Sequence, residues 1–429
     1  MYREEQLRAL LKGRKILIAG YGREGKSAER LIQRLVPETP YTIAVQVEGG
    51  KWRDESDEWH EDWPFDMVIK SPGIPNFQFS TFNFQLTSLT DLFLQVYGDM
   101  TIGVTGTKGK STTASLIHHL LPGSILAGNI GIPLFDILDG LKEDSIVVAE
   151  LSCHQLENIH RGPHIAVLLN LFQEHLDHYE NYMGYKMAKM QIGLKQRADD
   201  HFFWCADAIE LDDLVRSQAM PGMLHPYRLT DATEEERMLL NACPLEGDHN
   251  RSNALVACRV AMLALSTIHY PLPTKETFAS FQGLRHRMEK VGCYKDITWY
   301  DDSISTIPAA AIAAVRALGR VDTLILGGFD RGIDYTPLVD FLKENSVKNI
   351  VFVGQAGRRI LQLLSAAHCP LPTHIIEDDY ERIVPWCASV TPKGGVVLLS
   401  PAAASYDAFK NFEVRGDFYR EQILKLNQN

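Results

Sequence analysis

Three times the chain restarts with one signal: a short run of Val, Ile and Leu, a glycine-bearing turn, and a helix-like stretch. Residues 15–19 run into Gly20-Tyr-Gly22-Arg-Glu-Gly25 and a helix through Leu35. Residues 101–104 run into Thr105-Gly106-Thr107-Lys-Gly109-Lys110-Ser111-Thr112 and a helix through Leu121. Residues 321–326 run into Gly327-Gly-Phe-Asp-Arg331-Gly332. Continuous apolar strands that alternate with helices are covered on both faces, so the pattern predicts an α/β chain of parallel sheets. Further strands are expected at 145–149, 165–169 and 201–205, then at 349–353, 374–377 and 395–399. Boundaries near residues 95 and 283 predict three domains: 1–95, Rossmann-like; 96–283, a P-loop-type ATPase domain; and 284–429, Rossmann-like again. The acidic run 231–236 reads as a solvated face.

Charge and cysteine usage narrow the function classes. Lys plus Arg number 43 against 54 Asp plus Glu, a net charge of −11. A general nucleic-acid or anionic-membrane binder carries the opposite sign. No apolar run approaches the ~18 residues of a membrane span. The start Met1-Tyr-Arg-Glu-Glu is charged and enters a helix-like stretch, unlike a signal peptide. Seven scattered cysteines without a CxxC fit a reduced cytosol. The expectation is a cytoplasmic protein with no nucleic-acid or membrane partner.

The first glycine loop, Gly20-x-Gly22-x-x-Gly25, has the spacing that lets a backbone approach a diphosphate at a helix N-terminus. A NAD site also needs an acid at the end of the second strand. Here Gln46 follows residues 41–45, and Glu48 is the nearest acid. A nucleotide diphosphate is therefore favoured over NAD, and a turn without a ligand is the alternative. The second loop is the shorter GxxGKST form, because Val104 stands where a first glycine would fall. Its N–H groups cradle phosphates, Lys110 reaches the terminal ones, and Ser111 or Thr112 can ligate Mg²⁺. Glu150, at the carboxyl end of the 145–149 strand, is the best acid to complete such a site. Asn170 ends the next strand, and Glu174-His175-Leu-Asp177-His178 follows as a metal-capable or merely polar loop. Lys189 by itself reads as a surface lysine.

The phosphate loop, Ala149-Glu150-Leu151-Ser152, Asn170 to His175 and Gly247-Asp-His-Asn250-Arg-Ser-Asn253 occur in an order that resembles the Mur ligases. These are ATP-dependent amino-acid ligases of peptidoglycan precursor synthesis. The run 399–416, with Ser405 and Phe412, and Gly128-Asn129-Ile-Gly131 resemble the glutamate-adding branch, and the likeness spans nearly the whole chain. The resemblance implies that Gly20, Gly22, Gly25, Ser71, Pro72, Gly73 and Asn129 bind UDP-N-acetylmuramoyl-L-alanine. Gly106, Thr107, Gly109, Lys110, Ser111, Thr112, Asn250, Asn253, Arg287 and Asp302 would bind ATP. Ser111, Glu150, His175 and a carbamylated Lys189 would hold Mg²⁺, with Lys110 and Arg287 completing the catalytic set. Thr306, Arg331, Ser405 and Phe412 would surround the incoming glutamate. The implied enzyme is a monomer in which ATP converts the alanyl carboxylate to an acyl phosphate that the amino acid attacks. A mobile third domain would close to bring Arg287 and Arg331 to the phosphates.

One motif departs from the pattern. The family's Asp-Ser-Lys-Ala-Thr-Asn is here Asp302-Ser-Ile304-Ser-Thr306-Ile. An alkyl group replaces an ammonium, so the acceptor contacts must differ, and Arg331 can supply a cation from another direction. This form also resembles a subgroup that adds L-glutamate. D-glutamate is placed slightly ahead of L-glutamate, and a catalytically degenerate UDP-sugar- or nucleotide-binding regulator is the reading from another class. Folylpolyglutamate synthetases share the ATP domain but lack the ~95 preceding residues with their own glycine loop.

Overall fold

Each of the three restarts becomes an inner strand of its own sheet. The computed structural model describes residues 2–46, 52–53, 65–74, 84–129, 132–174, 178–245, 247–268, 271–281, 283–344, 347–367 and 373–426. Two compact units divide the chain, Met1–Phe281 and Gln282–Asn429.

The first unit holds two sheets. One comprises β1 (Ile16–Ala19), β2 (Tyr41–Gln46), β3 (Trp52–Arg53), β4 (Met67–Lys70) and β5 (Gln85–Thr87), in the order β3-β2-β1-β4-β5. Only β3 is antiparallel to its neighbour. The other comprises β6 (Thr101–Thr105), β7 (Ile125–Gly128), β8 (Val147–Glu150), β9 (Ile165–Leu168), β10 (His201–Cys205) and β11 (Met223–Tyr227), all parallel, in the order β11-β10-β9-β6-β8-β7. In both sheets a glycine loop leaves an inner strand, β1 or β6, with neighbours that run away on either side. Open α/β sheets bind ligands at such a reversal.

The boundary expected near residue 95 falls inside helix Leu89–Tyr97. That helix is buried along nearly its whole length, with Phe93 edge-on to Phe135 at 5.7 Å. Ile16, Ile18, Leu92, Phe93, Leu138, Leu156 and Met190 belong to one continuous hydrophobic core. The two sheets are distinct, but the apolar surface between them is shared, so both lie within one compact unit.

The second unit carries β12 (Glu289–Tyr294), β13 (Ile297–Asp301), β14 (Thr323–Gly327), β15 (Asn349–Val353), β16 (Thr373–Ile376) and β17 (Val396–Leu399). Their order is β12-β13-β17-β14-β15-β16, with only the β12–β13 edge pair antiparallel. The predicted break at residue 283 lies one residue beyond Gln282.

One surface expectation is corrected. Within the acidic run, Glu236 is buried: its side chain closes a capping box with Thr233 and pairs with Arg259 Nε at 2.7 Å. No described helix is long and apolar enough to cross a membrane.

Candidate active site

The phosphate loop leaves β6 and enters α4 (Lys110–Leu120), so the helix's unpaired N–H groups open onto the carboxyl end of the sheet. Gly109 has φ +85°, and a Cβ there would lie 2.8 Å from Asn253 Nδ2. Asn253 sits on helix Asp248–Ile268, which packs along α4 and carries Asn250 near its start. Asn170 clamps the loop from β9: its Oδ1 accepts from Lys108 N and its Nδ2 donates to Lys108 O, each at 2.9 Å. Thr107 Oγ1 is 2.8 Å from the Tyr185 hydroxyl and accepts from Phe172 N. Lys110 Nζ curls back onto the loop, donating to Gly106 O at 3.0 Å and Thr107 O at 2.9 Å. The loop is thus preformed, and its lysine is held at its mouth.

Glu150 ends β8 and is 2% exposed. Asn129, which follows β7, donates from Nδ2 to Glu150 Oε1 at 2.8 Å. Glu150 Oε2 is buried with no hydrogen-bond partner. A buried anionic oxygen in that state is a strong cation position, and a carboxylate with a hydroxyl at the start of α4 is the hard-oxygen set that suits Mg²⁺. Lys189 is not on the surface. It lies on helix Tyr182–Leu194, 2% exposed, with Nζ 4.9 Å from the Tyr185 ring centroid. Burial pulls its ammonium down to about 8; Lys110 adds to the fall, while Cys153, Glu174 and Glu150 oppose it. An ammonium cannot ligate Mg²⁺, so Lys189 fits such a site only as a carbamate. His175 lies outside the described residues.

At the first sheet, Gly20–Glu24 and Ser71–Ile74 line a cavity of about 360 Å³. Ser71 Oγ donates to Gly20 O at 3.1 Å, and Gly20 N donates to Ala44 O at 2.8 Å. Gly25 is packed so closely that a Cβ would lie 2.0 Å from Gly20 O. The predicted residues Gly20, Gly22, Ser71, Pro72 and Gly73 therefore share one cavity, and Gly25 shapes it from behind. Sequence reasoning missed Glu24 on its wall. Gln155 Nε2 donates to Glu24 Oε1 at 3.1 Å while Oε2 is buried without a partner, and burial raises this acid. Its only signal in the sequence was its place inside the glycine loop.

In the second unit, Asp302 follows β13 and is buried. Ser400 Oγ donates to its Oδ2 at 2.7 Å and Met288 N to its Oδ1 at 3.2 Å. Burial raises its carboxyl to about 6 against those donors, Ser305 and Arg287. His286 and Met288 have φ of 60° and 49°, and His286 Nδ1 is 2.7 Å from Asp301 Oδ2. This anchored left-handed turn presents Arg287 to solvent. Ile304 N donates to His286 O, Arg331 Nη2 donates to Thr306 O at 2.9 Å, and Ser303 Oγ donates to Phe412 O at 2.8 Å. Buried Arg415 ties these segments together through Ser303 O and Ala403 O, next to buried Ser405. Asp302, Thr306, Arg331, Ser405 and Phe412 thus gather at the carboxyl ends of β13, β14 and β17. Arg415 was missed, because a buried arginine in a helix looks like a surface one.

A Mur ligase middle-domain model matches residues 104–221, the segment of the phosphate loop, Glu150 and Lys189. A UDP-N-acetylmuramoyl-L-alanine–L-glutamate ligase of Salinispora tropica is 33% identical, covering 96% of this chain and 98% of its own. The chain belongs to the Mur ligase family. A second Mur ligase, the UDP-N-acetylmuramoylalanine–D-glutamate ligase of Lacticaseibacillus paracasei, is 30% identical over 97% of this chain and 96% of its own. The fold matches the crystal structure of the Mur ligase MurF from Thermotoga maritima in complex with ADP. That match has a TM-score of 0.53 at 17% identity, covering 96% and 95% of the two chains.

Proposed function

We propose that this chain is a cytoplasmic, monomeric ligase that uses ATP to join glutamate to the alanyl carboxylate of UDP-N-acetylmuramoyl-L-alanine. The observation that carries the proposal is identity of 30–33% to glutamate-adding ligases along nearly the full length of both chains. A carboxylate is a poor acyl donor. Its oxygen attacks the γ-phosphorus of ATP, the bond to the β-phosphate oxygen breaks, and ADP leaves. The glutamate nitrogen then attacks the acyl carbon, the nitrogen loses a proton, and phosphate departs with the electron pair of the broken C–O bond.

The protein's part is positioning and charge neutralisation. Lys110 exchanges its two loop carbonyls for the phosphates, and the N–H groups of 106–112 cradle them. On the first unit Asn250 and Asn253 are the proposed nucleotide contacts, and on the second unit Arg287 and Asp302 are. Glu150, Ser111, His175 and carbamylated Lys189 would hold Mg²⁺, which supplies charge neutralisation at the phosphoryl oxygens. Burial pulls Lys189 down to about 8, which gives it more of the neutral amine that attack on CO₂ requires than an exposed lysine has and so favours the carbamate. The cavity at Gly20–Glu24 and Ser71–Gly73 takes the UDP moiety.

For the acceptor we favour L-glutamate over the D-form that the sequence reading placed slightly ahead. Ile304 puts a half-buried alkyl group where the family pattern has an ammonium, and the Salinispora relative is named for L-glutamate. Phosphate release tests the proposal. With ATP, Mg²⁺ and UDP-N-acetylmuramoyl-L-alanine, L-glutamate should drive turnover that Lys110→Ala abolishes. Turnover with neither hand of glutamate would sink it.

A further inference from the structure

We propose that His154, Glu157 and His178 form a second metal site, one for a borderline transition ion of the Zn²⁺ type, separate from the Mg²⁺ position at Glu150. His154 and Glu157 are three residues apart through the short helix Cys153–Leu156, so their side chains rise from the same face. His178 comes from the segment after β9 and closes the triangle. One ligand atom from each lies within 4.8 Å of the others. His178 Nε2 is 2.7 Å from Glu157 Oε1, and His154 Nδ1 is 3.5 Å from the same oxygen. A tetrahedral ion with bonds of about 2.0–2.1 Å needs its donors about 3.3 Å apart, a spacing these two distances bracket.

The chemistry of the set is selective. Two imidazoles and one carboxylate suit Zn²⁺, Cu²⁺ or Ni²⁺, whereas Mg²⁺ prefers oxygens alone, and an ion that takes His154 Nδ1 displaces a proton from it. The supporting contacts are those of a held site rather than a chance encounter. Lys70 Nζ pairs with the other carboxylate oxygen, Oε2, at 3.2 Å, which points Oε1 at the histidines. The Tyr179 ring lies parallel to the His154 ring, with centroids 5.7 Å apart, and fixes the plane of that imidazole; its hydroxyl, 3.5 Å from Nδ1, must turn away when an ion takes that nitrogen. Such outer partners orient ligands and tune affinity. The side chains of His154 and His178 are 18% and 10% exposed, so an ion has a way in and a water can complete the tetrahedron. Lys70 keeps its own oxygen when the ion takes Oε1, so the ion pair between β4 and Glu157 survives loading.

Equilibrium dialysis of the full chain, stripped with a chelator and offered Zn²⁺ in a 100-fold excess of Mg²⁺, tests this. One Zn²⁺ per chain is expected, with affinity reduced at least ~100-fold in His154→Phe and in His178→Gln and kept in Glu150→Gln. X-ray absorption of the Zn²⁺-loaded unmodified protein keeps the test independent of how the variants fold. A shell of nitrogen and oxygen with two imidazoles is expected. No bound Zn²⁺, a shell without imidazole, or loss of the ion in Glu150→Gln with retention in the histidine variants would overturn the proposal. Because the readout is metal content, it stands or falls separately from the ligase activity.

Discussion

Gly25→Ala is the sharpest test of the first loop. The new Cβ would sit 2.0 Å from Gly20 O, 3.0 Å from Gly20 C and 3.6 Å from Ile18 Cγ2. A carbon needs roughly 3.3 Å from a carbonyl oxygen, so one partner must move by more than about 1 Å. Neither moves freely. Gly20 is tied by its N–H to Ala44 and by its carbonyl to Ser71, while helix Arg23–Leu35 is seated on Ala28, Leu31, Ile32 and Leu35. Overpacking of this kind costs about 1–3 kcal/mol of stability. Because Gly20–Glu24 is the cavity wall, the same displacement shifts the backbone that faces the ligand, and losing two hydrogen bonds to a charged diphosphate at about 1.5 kcal/mol each costs about 100-fold in affinity. Calorimetric titration should show UDP binding weakened by about that factor, with ATP affinity within about twofold of the parent. Unchanged UDP affinity in a folded Gly25→Ala protein would refute the assignment of this loop to the UDP moiety.

Three further outcomes follow from the same geometry. Gly109→Ala combines a left-handed backbone with a Cβ 2.8 Å from Asn253 Nδ2, so ATP affinity should fall at least tenfold in a fluorescence titration while UDP binding holds. Lys189→Ala should lose ~100-fold or more in turnover and regain part of it when short-chain carboxylic acids are added; full activity without them would remove the carbamate. Asp200 is buried between Arg161, His164 and the Arg197 N–H; burial opposes its ionisation, but these donors hold it down at about 2. Its carboxylate therefore stabilises the fold fully above the unfolded value near 4, and that contribution is lost as pH falls from there towards 2. Asp200→Asn should cost about 3–5 kcal/mol in denaturant unfolding at pH 7 and flatten that acid limb.

The fold was largely written in the apolar runs, because a strand buried on both faces carries no competing polar pattern. The runs 201–205 and 349–353 coincide with β10 and β15, and 15–19 and 165–169 miss β1 and β9 by one residue. The phosphate loop was legible for a different reason: its backbone geometry admits few residues, as the φ of Gly109 shows. What stayed hidden depends on packing between distant segments. Nothing local marks Lys189 as buried; its environment comes from Tyr185 on its own helix and from Cys153, Glu174 and Glu150 on other segments. The clamp of Asn170 on Lys108 joins residues 62 positions apart. Likewise the edge near residue 95 was drawn where composition changes, whereas Phe93 and Phe135 share one core.

The most direct measurement is mass spectrometry of the product formed from UDP-N-acetylmuramoyl-L-alanine, ATP and Mg²⁺ with isotopically labelled L-glutamate and unlabelled D-glutamate in one tube. A glutamyl product carrying the label is the predicted result. A product carrying only the unlabelled residue would contradict the acceptor assignment, and consumption of ATP without any glutamyl product would contradict the ligase itself.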